Sequence, residues 1–195
     1  MSQHHPAPAS APPPGWPRRL ARRLARRLRA QWPTGLALLA VVLGAHLWHT
    51  RHLPSGVLPD ATVQLASGEV LRLSQWRALH PGQPVALHVW ADWCPICRTE
   101  EHSITRLQRD WPVLTVAMQS GNAPQVRQVL ARRALPWQTA VDADGALARS
   151  LGIQSVPALL VLDANGQLRA ASVGYTSEIG MRLRLRWAQA MAAWP

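Results

Sequence analysis

The sequence predicts an α/β fold in which helices flank a mixed β-sheet, with an N-terminal hairpin, a central αβ insert and one preceding transmembrane helix. Apolar strand-like runs alternate with helical ones over most of the chain, and this alternation predicts a sheet covered by helices. Asn165-Gly166 indicates a tight turn and therefore a late β-hairpin. An apolar run near the N-terminus predicts the membrane helix. The length of 195 residues suits one domain plus a tail.

The predicted elements follow from periodicity and turn residues. Alternating residues on both sides of Ser67-Gly68 predict a first hairpin. Strands are expected at residues 62–65, 70–73, 85–90, 113–117, 139–141, 156–162 and 168–173. Helices are expected at residues 74–79, 95–111, 123–133, 145–151 and 177–193. The order is therefore a hairpin, a βαβ unit with an inserted αβ unit, a second hairpin and a final helix.

The positive charge is concentrated ahead of the predicted domain. The formal net charge is +11 and all 21 basic residues are arginine, seven of them within residues 18–29. From residue 51 onward, 14 arginines stand against 10 acidic residues, a balance of +4. A nucleic-acid-binding protein carries its basic patch on the folded domain. The distribution argues against a nucleic-acid partner and for membrane topology.

Residues 1–30 are predicted to be a disordered, basic cytoplasmic arm, because residues 1–17 lack periodic apolar side chains. Residues 31–50 are predicted to be a transmembrane signal anchor. Their apolar run from Trp32 to Trp48 has 17 residues and interfacial aromatics at both ends. The positive-inside rule then predicts a single-pass chain with a cytoplasmic N-terminus and the folded domain outside, which in a bacterial inner membrane means the periplasm. A cleaved signal peptide and a twin-arginine signal are alternatives, and both also export the domain.

Residues 51–60 are predicted to be a linker, and residues 61–195 the folded domain. The domain contains both cysteines of the chain, Cys94 and Cys97, after a strand and at the start of a helix. At the N-cap, Cys94 is placed where the helix dipole stabilises a thiolate. Pro95 suits the first helical position, which needs no N–H. This context predicts a redox pair, while a metal site that adds His80, His88 or His102 is the alternative.

Residues 89–97 (VWADWCPIC) strongly resemble the active-site segment of thioredoxin-like proteins, and Val156-Pro157 is similar to their cis-proline loop. Residues 97–100 (CRTE) resemble the TlpA-like branch of membrane-anchored protein disulfide oxidoreductases. Residues 174–187 (GYTSEIGMRLRLRW), with the N-terminal anchor, are most similar to the suppressor-of-copper-sensitivity protein D group. The resemblance covers about residues 60–194 and implies a thioredoxin-like fold.

The resemblance implies that Cys94 is the nucleophile and Cys97 the resolving thiol of a redox disulfide. It implies substrate-binding roles for Trp93, Pro95, Val156 and Pro157, the last with a cis peptide bond. The expected activity is reduction or isomerisation of protein disulfides, with no cofactor and no metal. The expected partners are protein thiol clients and a membrane thiol reductase of the DsbD type as electron donor. Apocytochrome c thiol reduction and a copper-binding module are the alternative functions.

The chain departs from thioredoxins at His88, which stands where they keep a buried acid. A strand histidine is expected to be packed with its polar atoms satisfied. Glu100 is predicted to replace the acid catalytically, because it shares a helix face with Cys97 at i, i+3 spacing and could take its proton. Glu101 is expected to be solvated. Residues 152–156 (GIQSV) also lack the Gly-rich stretch of cytochrome c-maturation relatives, which argues against a dedicated role in haem-protein assembly.

Overall fold

The computed structural model describes residues 56–192 and four separate helical residues before them, Ala37, Ala40, Val41 and Gly44. The predicted arm, the rest of the predicted anchor with its cleavage alternatives, and the first half of the linker fall outside this description. Within the described part of the chain, no helix is both long and apolar enough to cross a membrane. The following description concerns the domain of residues 56–192.

The domain contains eight strands and five helices within residues 56–192. The strands are β1 Gly56–Val57, β2 Thr62–Leu65, β3 Val70–Arg72, β4 Val85–Trp90, β5 Val113–Met118, β6 Thr139–Asp142, β7 Ala158–Leu162 and β8 Gln167–Val173. The helices are α1 Leu73–Ala78, α2 Pro95–Leu107, α3 Ala123–Arg132, α4 Ala146–Ser150 and α5 Glu178–Ala192.

The strands form one mixed sheet in the order β1-β8-β7-β4-β5-β6-β2-β3. Strands β4, β5 and β6 are parallel neighbours, and every other neighbouring pair is antiparallel. The hairpin β2–β3 extends the sheet beyond β6, and α3 with β6 supplies the central αβ insert. The predicted mixed sheet flanked by helices is therefore confirmed.

Successive residues of β4 point to opposite faces of the sheet, as strand geometry requires. Leu87 and Val89 join an apolar cluster with residues of α1 and α4 on one face. Ala86 and Trp90 join a second cluster with residues of α2, α3 and α5 on the other face. All six residues of β4 are buried, which explains why five of them are apolar and only His88 is polar. The cysteine pair belongs to the second cluster.

Two predicted boundaries differ from the observed ones by two residues or more. The helix expected to reach residue 111 ends at Leu107, because the chain must turn back there to place β5 beside β4; the Ala86 N–H donates to the Pro112 carbonyl at 2.9 Å. The strand expected from residue 156 begins at Ala158, after a proline that has no N–H to donate.

A short strand also forms inside the segment predicted as a linker. Gly56 and Val57 pair with the edge strand β8. A strand of two residues is too short to show an alternation of apolar and polar side chains, and the surrounding prolines favour a loop. Strand β1 was therefore not detectable from the sequence.

The topology brings several chain segments to one edge of the sheet. Parallel strands β4, β5 and β6 all end at this edge, and the chain leaves β4 there for the cysteine segment. Ala158 at the start of antiparallel β7 pairs with Val89 near the end of β4. The loop that precedes β7 therefore lies beside the start of α2.

Candidate active site

Cys94 and Cys97 form a disulfide with their Cα atoms 5.3 Å apart. Cys94 is the N-cap residue of α2 in an extended conformation, and Pro95 occupies the first turn. The Cys94 sulfur accepts the Cys97 N–H at 3.1 Å. Reduction would leave this sulfur at the amino end of a 13-residue helix, where backbone N–H groups and the helix dipole favour a thiolate.

The surface beside the disulfide is partly apolar and open to solvent. Trp93 is 56% exposed and Ile96 is 51% exposed, and Pro95 is also exposed. The Trp93 indole N–H donates to the Gln119 carbonyl at 3.1 Å, which fixes the ring across the end of β5. Such a surface suits contact with a polypeptide partner.

Val156 and Pro157 lie opposite the disulfide, and the peptide bond between them is cis. The Val156 carbonyl oxygen is 3.8 Å from the Cys94 sulfur. Pro157 is buried, whereas Val156 is partly accessible. The structure thus places Val156 and Pro157 beside the cysteine pair, although about sixty residues separate them in sequence.

Glu100 is buried one turn after Cys97, at 1% exposure, on the same apolar face of α2. Its Oε1 accepts the Thr176 N–H at 2.5 Å. Burial raises the pKa of Glu100 to about 7, and this hydrogen bond opposes part of the increase. The carboxyl group therefore exchanges its proton near neutral pH.

His88 faces Glu100 from β4, with 3.9 Å between His88 Nδ1 and Glu100 Oε2. The side chain is 1% exposed and packs edge-on against Trp137, with ring centroids 6.1 Å apart. Neither ring nitrogen has a hydrogen-bond partner among residues 56–192. Burial lowers the pKa of His88 to about 3, so the ring is neutral at ordinary pH. The expectation of a satisfied strand histidine was wrong.

Glu101 is not the solvated acid expected from the sequence. Its carboxylate binds the Arg133 guanidinium at 2.9 Å, and the two side chains are 18% and 20% exposed. Arg133 also donates to the Asp92 carbonyl at 2.9 Å. This pair joins α2 to the end of α3 and holds the segment that leads into Cys94. Sequence reasoning missed it, as it missed Thr176, because both contacts join residues far apart along the chain.

The histidines proposed as metal ligands do not assemble with the cysteines. His80 lies edge-on to Trp76, with centroids 5.1 Å apart, and His102 is exposed on α2. Across residues 56–192, no three His, Cys, Asp or Glu side chains come together as a candidate metal site.

A cysteine pair at a helix N-terminus, a cis-proline loop facing it and a buried carboxyl group behind it define a thioredoxin-like protein disulfide oxidoreductase. The sequence model of the Redoxin family matches residues 54–182. The chain therefore belongs to the Redoxin family.

Relatives support this assignment. The thiol:disulfide interchange protein DsbE of Pseudomonas aeruginosa is 30% identical over 152 residues, which cover 75% of this chain and 84% of the relative. A thioredoxin-like protein of Haemophilus influenzae is 29% identical over 129 residues, covering 66% and 75% of the two chains. Within the family, the first of these relatives supports a place in the DsbE group, while the resemblance to the suppressor-of-copper-sensitivity protein D group stays a prediction.

Solved structures show the same fold. A secreted thiol-disulfide isomerase from Corynebacterium glutamicum aligns with a TM-score of 0.60 at 19% identity, covering 68% of this chain and 85% of the other. A thioredoxin family thiol:disulfide interchange protein from Chlorobium tepidum aligns with a TM-score of 0.57 at 20% identity, covering 70% and 97%.

Proposed function

We propose that the protein reduces or isomerises disulfides of protein clients in the bacterial periplasm. In this proposal it is anchored in the inner membrane and receives electrons from a membrane thiol reductase of the DsbD type. The observation that carries the chemistry is the asymmetry of the cysteine pair. Cys94 lies beside the Val156 carbonyl and an open apolar surface, whereas Cys97 lies on the buried face of α2 with Glu100. The Cys94 sulfur therefore attacks the client disulfide, and the Cys97 sulfur resolves the mixed disulfide that forms.

In the first step, the Cys94 thiolate of the reduced protein attacks one sulfur of a client disulfide. A bond forms between Cys94 and that sulfur, and the client disulfide breaks. The second client sulfur leaves as a thiolate and takes a proton from water. The amino end of α2 favours this step because it stabilises the attacking thiolate.

In the second step, Cys97 gives its thiol proton to the Glu100 carboxylate and attacks the Cys94 sulfur. The Cys94–Cys97 disulfide forms, and the remaining client sulfur leaves as a thiolate. With its pKa raised to about 7, Glu100 is ionised in a substantial fraction of molecules near neutral pH. It can then take the proton in this step and release it afterwards.

The client is expected to bind as an extended segment along the loop before β7. Val156 offers its backbone next to Cys94. Trp93, Pro95 and Ile96 supply apolar contact on the other side of the disulfide. Backbone recognition of this kind tolerates many sequences, as a protein with several clients requires.

The proposed location is tested by a topology reporter. Fusion of a reporter after Pro59 should give activity only outside the cytoplasm, because the arginine-rich residues 18–29 precede the apolar run. The measurement compares a periplasmic phosphatase with a cytoplasmic fluorescent reporter at the same position. Cytoplasmic activity alone would reverse the proposed orientation.

The proposed roles of the cysteines are tested by alkylation of the reduced protein. Cys94 is expected to react first and to show a depressed thiol pKa, because it caps α2, while Cys97 lies on the buried helix face. Mass mapping after brief alkylation across a pH series checks both points. Preferential labelling of Cys97 would exchange the two roles.

A further inference from the structure

His88 and Glu100 form a buried pair. The exchange steps above give a role to Glu100 and none to His88. Glu100 Oε1 has a donor in the Thr176 N–H. The side chain that faces Oε2 is His88, whose Nδ1 lies 3.9 Å away, which is too long for a hydrogen bond. The Glu100 side chain is 2% exposed, so its ionised form loses most of its hydration and depends on protein donors. The ionised state of Glu100 therefore has one protein donor, on Oε1, unless His88 provides a second.

The same count of hydrogen-bond donors and acceptors decides which ring nitrogen of His88 carries the hydrogen. A neutral imidazole has one N–H and one acceptor nitrogen, and an unpaired buried N–H is less tolerable than an unpaired acceptor. Neither ring nitrogen has an acceptor within hydrogen-bond distance among the described residues, but Nδ1 faces Glu100 Oε2 at 3.9 Å. The hydrogen therefore belongs on Nδ1, directed towards Oε2.

The other titratable and charged groups near Glu100 do not take over the role of His88 as a donor to Oε2. Cys97 shares the buried face of α2 but carries no charge while it is in a disulfide or thiol form. Thr176 contributes only its backbone N–H. The acids on the neighbouring positions and on α5 are engaged elsewhere, in ion pairs of 2.6 to 2.9 Å: Glu101 with Arg133, and Glu178 with Arg106 and Arg182.

We propose that His88 is a positioning residue whose Nδ1–H donates to Glu100 Oε2 when that carboxyl group is ionised, keeping Glu100 able to accept the proton of Cys97. The contact closes by a small side-chain rotation on ionisation and relaxes when Glu100 is protonated. His88 itself stays neutral throughout and neither gains nor loses a proton. This role rests on the proposed function of Glu100 and adds the group that tunes it.

Two substitutions separate the hydrogen bond from simple packing. Asn places an amide nitrogen where His88 has Nδ1, so His88→Asn retains the donor. Leu has the same branching without a donor, so His88→Leu removes it. The test measures the pH dependence of resolution in the full-length chain, by stopped-flow tryptophan fluorescence after the reduced chain is mixed with a peptide disulfide.

In His88→Leu, the midpoint of the pH profile should rise by about one unit, which slows resolution roughly 5-fold at neutral pH and restores it at higher pH. In His88→Asn, the midpoint should stay near that of the unsubstituted chain. An unchanged midpoint in His88→Leu, or equal shifts in both variants, would overturn the proposal. A merely structural role would lower the rate at every pH and leave the midpoint in place.

A second measurement keeps the inference independent of the role of Glu100. The titration of Glu100 is followed directly by NMR of glutamate labelled at Cδ in the oxidised chain, with Glu100→Gln to assign the signal. A higher Glu100 pKa in His88→Leu than in His88→Asn supports the hydrogen bond even if resolution proves independent of Glu100. Equal pKa values in the two variants reject it, and the oxidised unsubstituted chain serves as the reference for folding.

Discussion

The Cys97→Ala variant is expected to stop after the first exchange step and to accumulate a covalent adduct between Cys94 and its client. Resolution then depends on an external thiol, and turnover should fall by roughly 10³-fold or more, because an intramolecular group acts at a far higher effective concentration. The fold should persist, since alanine fits a position already on the apolar face of α2. Non-reducing electrophoresis of cell envelopes, followed by mass spectrometry of the adducts, measures this outcome.

The matched control is Cys94→Ala, which removes the attacking sulfur. It should form no adduct through the site, because Cys97 lies on the buried face of α2, whereas the sulfur beside the Val156 carbonyl is that of Cys94. Adducts that form in Cys94→Ala and are absent from Cys97→Ala would contradict the assigned roles. The captured proteins also identify the clients, and exported proteins among them would support the periplasmic location.

Much of the fold was predictable because its signals are local. The boundaries of β4 match the predicted residues, since a mainly apolar run of six residues is typical of a central strand. The start of α2 was predictable from Cys94 as N-cap and Pro95 at the first helical position. The late hairpin was predictable from Asn165-Gly166, and Gly166 has the positive φ of 81° that such turns require.

The environment of the site was less predictable, because it depends on contacts between distant segments. The i, i+3 spacing of Cys97 and Glu100 indicated a shared helix face, but nothing local indicated that Thr176 would donate to Glu100 across 76 residues. Periodicity also cannot show whether a buried polar atom finds a partner. His88 was therefore expected to be satisfied, whereas its nitrogens have no partner among the described residues.

The Glu100→Gln variant is expected to resolve the mixed disulfide roughly 10- to 100-fold more slowly, with little change in the initial attack by Cys94. A positioned general base typically contributes 10²- to 10⁴-fold, and water can partly replace it here. Glutamine has nearly the same shape and its carbonyl oxygen can still accept the Thr176 N–H, so the packing is preserved. Stopped-flow measurement of the two steps separates attack from resolution.

The burial of Glu100 should also make the stability difference between Glu100→Gln and the unsubstituted chain depend on pH. The folded-state pKa of about 7 lies above the ordinary value of 4.5. The group therefore favours the folded state fully below 4.5, and this contribution is lost as the pH rises through about 7. Relative to the unsubstituted chain, Glu100→Gln should gain stability over that interval. Denaturant unfolding across the pH range checks the sign.

Glu101→Gln is the matched control for the kinetic effect, because Glu101 is the adjacent acid on α2 but binds Arg133 instead of facing Cys97. It should leave resolution essentially unchanged, with any loss appearing as reduced stability of the contact between α2 and α3. Slower resolution in both variants would indicate a general effect of charge near the site. Slower resolution in Glu100→Gln alone would assign the proton transfer to Glu100.

His88→Ala completes the comparison, because the imidazole could in principle take the proton itself. Burial lowers the His88 pKa to about 3, which makes the ring a poor base near neutral pH. Its removal should therefore slow resolution less than Glu100→Gln does. Normal resolution in Glu100→Gln combined with slow resolution in His88→Ala would transfer the role to His88. Normal resolution in both variants would mean that water accepts the proton and that Glu100 serves only to bind the Thr176 N–H beside α5.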